Sequence, residues 1–291
     1  MVIISHLMGG LGNQMFQYAV ARRLQLERGN DAGLRVFFED GYRLAIRSYE
    51  LDAFTIGATV ATPEELKAIG PERKLRRRIK LLLKQAVDKN VLRERQNFVY
   101  DPTVLERTSD TYLIGFWQSY RYFENIRREL LKDFALKSES QYMRSARELI
   151  VKSRQPVSLH IRRGDYLQKA SGFAPLKPGH YSKALGIMRE NLRDFDVFVF
   201  TDDTKWAQEN LVEIIAPQSM TIISNSYLKS YEELILMSAC KHHIIANSSF
   251  SWWGAWLNDK PGKVTIAPQS WNGIDESIPV SDLIPESWTL I

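Results

Sequence analysis

A chain of 291 residues and 33.6 kDa exceeds the size at which one hydrophobic core normally stops growing, so two domains of roughly 100–150 residues each are expected. With 44% hydrophobic and 25% charged residues it falls in the globular class. Its apolar runs stop far short of the ~18 residues a membrane span needs, and a single cysteine, Cys240, excludes an intramolecular disulfide and fits a reducing cytoplasm.

In chain order, "MVIISHLMGG" has neither a basic leader nor a small-residue cleavage site and reads as a first strand over Val2 to Ser5. "GGLGNQMFQYA" follows, a glycine turn running into a helix from about Gln14 to Arg28 with Phe16, Ala19, Val20 and Leu24 on its apolar face. The turn has the outline of a phosphate loop but fits neither G-x-G-x-x-G nor G-x-x-x-x-G-K-[ST]; it presents Gly10, Gly12 and two amides, Asn13 and Gln14. "GLRVFFED" reads as a second strand ending in Glu39 and Asp40. A strand, loop, helix and strand in this order predict an α/β domain whose polar residues gather at the carboxyl ends of parallel strands.

Residues 71–95 carry ten Lys/Arg against three Asp/Glu, which leaves the rest of the chain slightly negative despite an overall charge of +5 and a pI near 9.1. Leu75, Ile79, Leu82, Leu83 and Ala86 recur at helical spacing, so this segment reads as an amphipathic helix with a basic face, either simply solvated or apposed to an anionic membrane. "TYLIGFWQS" reads as a strand, and "YFENIRRELLKDFAL" and "QYMRSARELIVKSR" as helices.

After Pro156 a new alternation begins. "PVSLHIRRGDY", "DVFVFTDD" and "HHIIANSSFSWWGAWL" each read as a strand that releases a polar cluster at its carboxyl end, the pattern of a second doubly wound domain. In the first cluster, Arg162 and Arg163 suit phosphate oxygens bidentately, with Asp165 able to hold one of them; a surface salt-bridge loop is the plain alternative. Thr201-Asp202-Asp203 lacks the spacing of a D-x-D metal motif and fits a helix N-cap that also faces a ligand. Asn247-Ser248-Ser249 stands at a helix N-terminus, where it caps the helix or leaves N–H groups for an anion. Trp252, Trp253 and Trp256 have core spacing. His6, His180, His242 and His243 show no metal-ligand spacing, and no G-x-S-x-G elbow occurs.

Taken together, "GGLGNQMFQYA", "HIRRGDY" and "ANSSFSWWGAWL" resemble the α-1,2-fucosyltransferases, inverting enzymes that move L-fucose from GDP-fucose onto galactose; "RSYELDAF", "GFWQSYRYF" and "LILMSACKH" are similar too. The resemblance implies two Rossmann-like domains facing across a cleft in a GT-B-like α/β architecture. Residues 1–145 would form the acceptor side and 146–291 the GDP-fucose side. It implies a β-galactoside acceptor and no metal or other cofactor. Clustering of the basic charge in residues 71–95, away from the motif loops, counts against a nucleic-acid partner, and the single cysteine fits a cytoplasmic place, peripheral to the membrane if the basic helix docks there.

By the same resemblance, Arg162 and Arg163 hold the diphosphate, and His160 lies by the guanine, which Glu233 reads. Thr201, Asp202, Asn247, Ser248, Ser249 and Phe250 surround the donor, and Gly10, Gly12, Asn13 and Gln14 line the acceptor side. The chain departs from the α-1,6 relatives in one respect. They carry a glutamate soon after the arginine loop, whereas here no Asp or Glu occurs between Asp165 and Glu190, and Ala170 stands at the matching position. The base is then drawn from Asp165, Glu39, Asp40 or the leaving diphosphate, with Asp40 favoured. A fucosyltransferase of another linkage, or a non-catalytic basic nucleotide- or RNA-binding protein, are the alternatives.

Overall fold

The computed structural model describes residues 1–29, 31–38, 48–71, 89–168, 172–275 and 277–291. Glu39, Asp40, Ala170 and most of the basic segment lie outside the described residues. The chain divides into two compact units, Met1–Leu136 and Lys137–Ile291, a break nine residues before the one expected from the sequence.

The first unit holds strands β1 (Val2–Leu7), β2 (Gly33–Phe38), β3 (Thr59–Val60), β4 (Val91–Arg93) and β5 (Thr111–Ile114), with helices α1 (Leu11–Glu27), α2 (Pro63–Ile69) and α3 (Arg127–Asp133). Its sheet runs β3-β2-β1-β5-β4, every pair parallel. Strand order reverses between β1 and β5, so the loops leaving these two strands open onto a topological switch point, the usual place for ligands on such a sheet. Ile3, Ile4, Leu7, Val36 and Leu113 fill the sheet core. Helix α1 begins three residues before the expected start because the Gly10 carbonyl accepts from the N–H groups of Asn13 (2.9 Å) and Gln14 (3.1 Å), making Gly10 the N-cap. The helix expected over "YFENIRRELLKDFAL" is regular only over α3, with 3₁₀ turns before it.

The second unit holds helices α4 (Gln141–Lys152), α5 (Pro178–Asn191), α6 (Thr204–Ile215), α7 (Ser230–Ala239) and α8 (Ser249–Leu257), with strands β6 (Pro156–Ile161), β7 (Asp196–Thr201), β8 (Met220–Ile222), β9 (His242–Ile244), β10 (Thr265–Ala267) and β11 (Thr289–Leu290). Its all-parallel sheet runs β11-β10-β9-β6-β7-β8, the dinucleotide-fold order. Every residue of β6 is buried, as a central parallel strand covered on both faces must be. Two buried polar side chains on the central strands pair with each other and with a helix end: Ser158 Oγ lies 2.8 Å from His243 Nδ1, and Asn258 Nδ2 lies 2.7 Å from His243 Nε2. Trp252, Trp253 and Trp256 are buried and in mutual ring contact, so they are core. Among the described residues no helix is long and apolar enough to cross a membrane.

Candidate active site

The second sheet reverses order between β6 and β9, and the residues released at the carboxyl ends of β6, β7 and β9 form one connected cluster. Arg162 is clamped by two carboxylates, its Nη2 2.7 Å from Asp165 Oδ1 and its Nη1 2.8 Å from Asp202 Oδ2, while its guanidinium lies over the Tyr166 ring at 5.7 Å. Arg163 donates through Nε to Asp203 Oδ2 at 3.1 Å and stacks over Trp206 at 4.4 Å. Asp202 also accepts from the backbone N–H of Arg163 (2.8 Å) and Gly164 (3.2 Å), so one carboxylate fixes both the loop and a guanidinium. A Cβ on Gly164 would stand 2.9 Å from Asp202 Oδ2, which explains glycine there without any appeal to backbone freedom.

Asp203 caps α6, accepting from the Trp206 N–H at 3.0 Å, and this bond leads the causes that hold its carboxyl below the ordinary range. The capping expected at Thr201-Asp202-Asp203 therefore resolves by residue: Asp203 caps, and Asp202 anchors the arginine loop. Helix α8 is different. Ser248 at its N-cap makes no side-chain cap hydrogen bond, and this nine-residue helix starts beside the switch point, where a helix N-terminus suits an anion.

Glu233 joins the cluster through a relay. Its Oε2 accepts from Ser224 Oγ at 3.0 Å, and Ser224 Oγ in turn accepts from the Thr201 N–H at 2.8 Å. Burial lifts the Glu233 carboxyl to about 7, with a smaller push from the Asp202 charge, against hydrogen bonds from Ser224 and Asn225 that pull it down. Its neighbour Glu232 behaves oppositely: burial alone would raise it, but N–H donors from Lys229 and Ser140 outweigh that and hold it below the ordinary range. Glu232 is therefore structural and Glu233 is the perturbed carboxyl at the site.

His160 packs its ring 5.6 Å from Phe250; burial, with Arg162 nearby, drops its pKa to about 3, so it stays neutral. Its Nδ1 and the Asn247 Oδ1 are buried without a hydrogen-bond partner, two orphaned polar atoms at the carboxyl edge of the sheet. Tyr166, absent from the residues expected at the site, donates to the Asn247 carbonyl at 2.8 Å and so ties the arginine loop to the loop after β9. Its place directly after Asp165 in "RRGDY" is the one signal that points to it. Among the described residues no group of three His, Cys, Asp or Glu is placed to hold a metal ion.

In the first unit the glycine turn takes a different form. Gln14 is fully buried, and its amide is engaged with the main chain: Nε2 donates to the carbonyls of Gly9 (3.0 Å) and Ser48 (2.9 Å), and Oε1 accepts from the Glu50 N–H (3.0 Å). Gln14 thus ties the glycine turn to the segment around residues 48–50. Gln17 also bonds the main chain, accepting from the Met8 N–H and donating to the Gly115 carbonyl, both at 2.9 Å. Asn13 accepts from Gln118 Nε2 at 2.7 Å, which binds the loops after β1 and β5 together at their switch point.

Residues 73–288 match the model of glycosyl transferase family 11. The chain belongs to that family. It is 31% identical to an α-1,2-colitosyltransferase of Escherichia coli over the full chain and 99% of the relative, and 28% identical to the mouse galactoside 2-α-L-fucosyltransferase Sec1 over 49% of the chain and 41% of the relative. Among solved structures it is similar to the fucosyltransferase NodZ from Bradyrhizobium, with a TM-score of 0.54 at 14% identity over 87% of the chain and 92% of NodZ, an enzyme also solved after soaking with GDP-fucose. At that identity the likeness establishes the fold, the two-sheet GT-B architecture of glycosyltransferases. The family 11 match takes in the whole cluster around Arg162 and Arg163, while the Gly9–Gln14 turn precedes it.

Proposed function

We propose that this family 11 glycosyltransferase moves a 6-deoxy-L-galactosyl group from a GDP-linked donor to the 2-hydroxyl of a β-galactoside, with inversion and without a metal. The observation that carries the reading is the arginine pair at the β6–β9 switch point. Two guanidiniums are held in fixed positions by carboxylates, next to the N-terminus of α8, where the Ser248 side chain makes no cap bond. Such an array is suited to a diphosphate leaving group, whose negative charge grows as the glycosidic bond breaks; one well-placed donor of this kind is typically worth ~3–4 kcal/mol in the transition state. Arg162 commits two of its five N–H donors to its carboxylates, which leaves three for phosphate oxygens. Glu233 is the natural partner for the N1–H and amino donors of guanine, and Phe250 and His160 offer ring surface beside it.

L-Fucose is the first choice of sugar. Colitose, which is L-fucose without its 3-hydroxyl, is the second reading, favoured by the full-length similarity to a colitosyltransferase. Inversion in a single displacement needs the acceptor hydroxyl opposite the leaving diphosphate, with Asp40, Asp165 or a diphosphate oxygen taking its proton. GDP release from GDP-fucose and from GDP-colitose, each with lactose, N-acetyllactosamine and a Galβ1,3 disaccharide, in the presence and absence of EDTA, tests the reading. It predicts an α-1,2 product and rates indifferent to EDTA. A metal requirement, or product of another linkage, would overturn the corresponding part.

A further inference from the structure

A cavity of about 230 Å³ opens in the first unit where β4 and β5 end, walled by Tyr100, Trp117 and Tyr122 with Glu94, Arg95 and Asp101 among its polar residues. It is smaller than the ~300–1,000 Å³ pockets that take drug-sized ligands, which suits one sugar ring. Its walls are ordered by one another. Tyr100 and Tyr122 meet edge to face at 4.8 Å, Trp117 meets Tyr122 at 6.0 Å, and the Tyr122 hydroxyl accepts from the Asp101 N–H at 2.9 Å.

Glu94 is built into the turn after β5. Its Oε2 accepts from the Phe116 N–H at 2.6 Å and its Oε1 from the Trp117 N–H at 3.0 Å. Each carboxylate oxygen keeps a second lone pair for a hydroxyl donor. Burial raises the Glu94 carboxyl above the ordinary range, so donors from a ligand would favour its ionised form.

Backbone conformation marks the same place. The two non-glycine residues with positive φ among the described residues are Trp117 (55°), in the cavity wall, and Phe98 (64°), in the segment that lines its rim. Aromatic residues adopt this region rarely, and such strain gathers at binding and catalytic sites. The turn that carries Trp117 is also the one tied to the glycine loop, through Gln17 to the Gly115 carbonyl and Gln118 to Asn13.

We propose that this cavity binds one pyranose ring of the acceptor glycan, with the half-buried Tyr100 covering a C–H face, the buried Trp117 and Tyr122 backing it, and Glu94 accepting from a ring hydroxyl. The proposal rests on the glycosyltransferase reading, but its test does not need turnover. Saturation-transfer NMR with lactose and no donor should show transfer to the galactose protons of the wild type. In Tyr100→Ala binding should weaken about tenfold, the loss of one stacked aromatic face, and Tyr100→Phe should restore it. Glu94→Gln should weaken binding by a similar factor. In steady-state kinetics the acceptor KM should rise with the donor KM unchanged. Lactose binding that is absent in the wild type, or unchanged in both Tyr100→Ala and Glu94→Gln, overturns the proposal, as does an equal rise in donor KM. A wild type that binds lactose through these residues yet releases no GDP from any GDP-sugar would refute the transferase reading and leave the cavity assignment standing.

Discussion

The loop after β1 and the loop after β6 leave their sheets at equivalent places, each at a point where strand order reverses, yet they are held by opposite means. The first is fastened by neutral amides: Gln14 spends both its N–H donors, and Gln17 one of its two, on backbone carbonyls. The second is fastened by ions, two arginines against Asp165, Asp202 and Asp203. A neutral amide can be buried completely at modest cost if every group is bonded, and it then gives a loop of fixed shape. Ions stay at the half-buried rim, keep donors to spare, and give a loop whose charge an anionic ligand can use. The first loop supplies shape and the second supplies electrostatics.

The largest effect expected from breaking this contrast is on catalysis in the second unit. Arg163→Ala should lower kcat/KM by about 10²–10³-fold, the usual cost of one transition-state donor, with little change in unfolding free energy. Arg163→Lys should recover only a small part, because an ammonium lacks the planar fork that both bonds Asp203 and lies over Trp206. Initial rates with saturating acceptor decide it, and near-normal turnover in Arg163→Ala would remove the ionic loop from the mechanism.

A second effect is confined to the ionic side and depends on pH. Between pH 4.5 and about 7 the folded Glu233 stays protonated while the unfolded chain has lost that proton. At this group the unfolded state then binds fewer protons, so the Glu233 contribution to stability falls as the pH rises across this window, by roughly 3 kcal/mol in all. Glu233→Gln should remove that contribution, read as the difference between its urea unfolding curves and those of the wild type at each pH. Donor binding should move the other way in the wild type, tightening as the pH rises through 7, because guanine donors prefer the carboxylate. His160, with its pKa near 3 when folded, contributes a slope of the opposite sign up to about pH 6.5, because there the unfolded chain holds a proton that the folded imidazole does not.

These two sites were legible in the sequence to different depths. The apolar runs that become β6 and β7 announce long buried strands, and the charged and polar residues directly after them can only lie at the carboxyl edge. The roles of Gln14 and Gln17 were hidden because an amide in a loop motif looks the same whether it bonds a ligand or the main chain; only the positions of Gly9, Ser48 and Gly115 decide between them. Glu94 was hidden by its surroundings, one acidic residue at the end of a basic stretch and after a three-residue strand too short to show periodicity. The two-residue strands β3 and β11 carry no pattern of their own and exist because a neighbouring strand offers them partners. The α8 N-terminus reads as capped from composition, since Ser248 is an ideal cap by type, but its side chain does not bond the helix.

On the neutral side, Gln17→Ala should take their partner from the half-buried Met8 N–H and Gly115 carbonyl and cost about 1–2 kcal/mol of unfolding free energy. GDP affinity, a property assigned to the other unit, should not change in isothermal titration. A fall in GDP affinity as large as in Arg163→Ala would erase the division between a shaping loop and an electrostatic one.

The smallest effect tests how tightly the neutral loop is shaped. Gly9 sits at φ +76°, and a Cβ there would stand 2.6 Å from Asn13 Nδ2. Gly9→Ala therefore meets two penalties: the left-handed conformation, about 1–2 kcal/mol for a residue with a Cβ, and displacement of Asn13 from Gln118. If shape is what this loop provides, urea unfolding should show that modest loss while turnover falls further than stability accounts for, because Asn13 moves. Asn13→Ala in the unaltered Gly9 background separates the two, since it removes the side chain without straining the turn. Equal turnover losses in the two variants would assign the effect to Asn13 itself, and a loss only in Gly9→Ala would assign it to the path of the backbone.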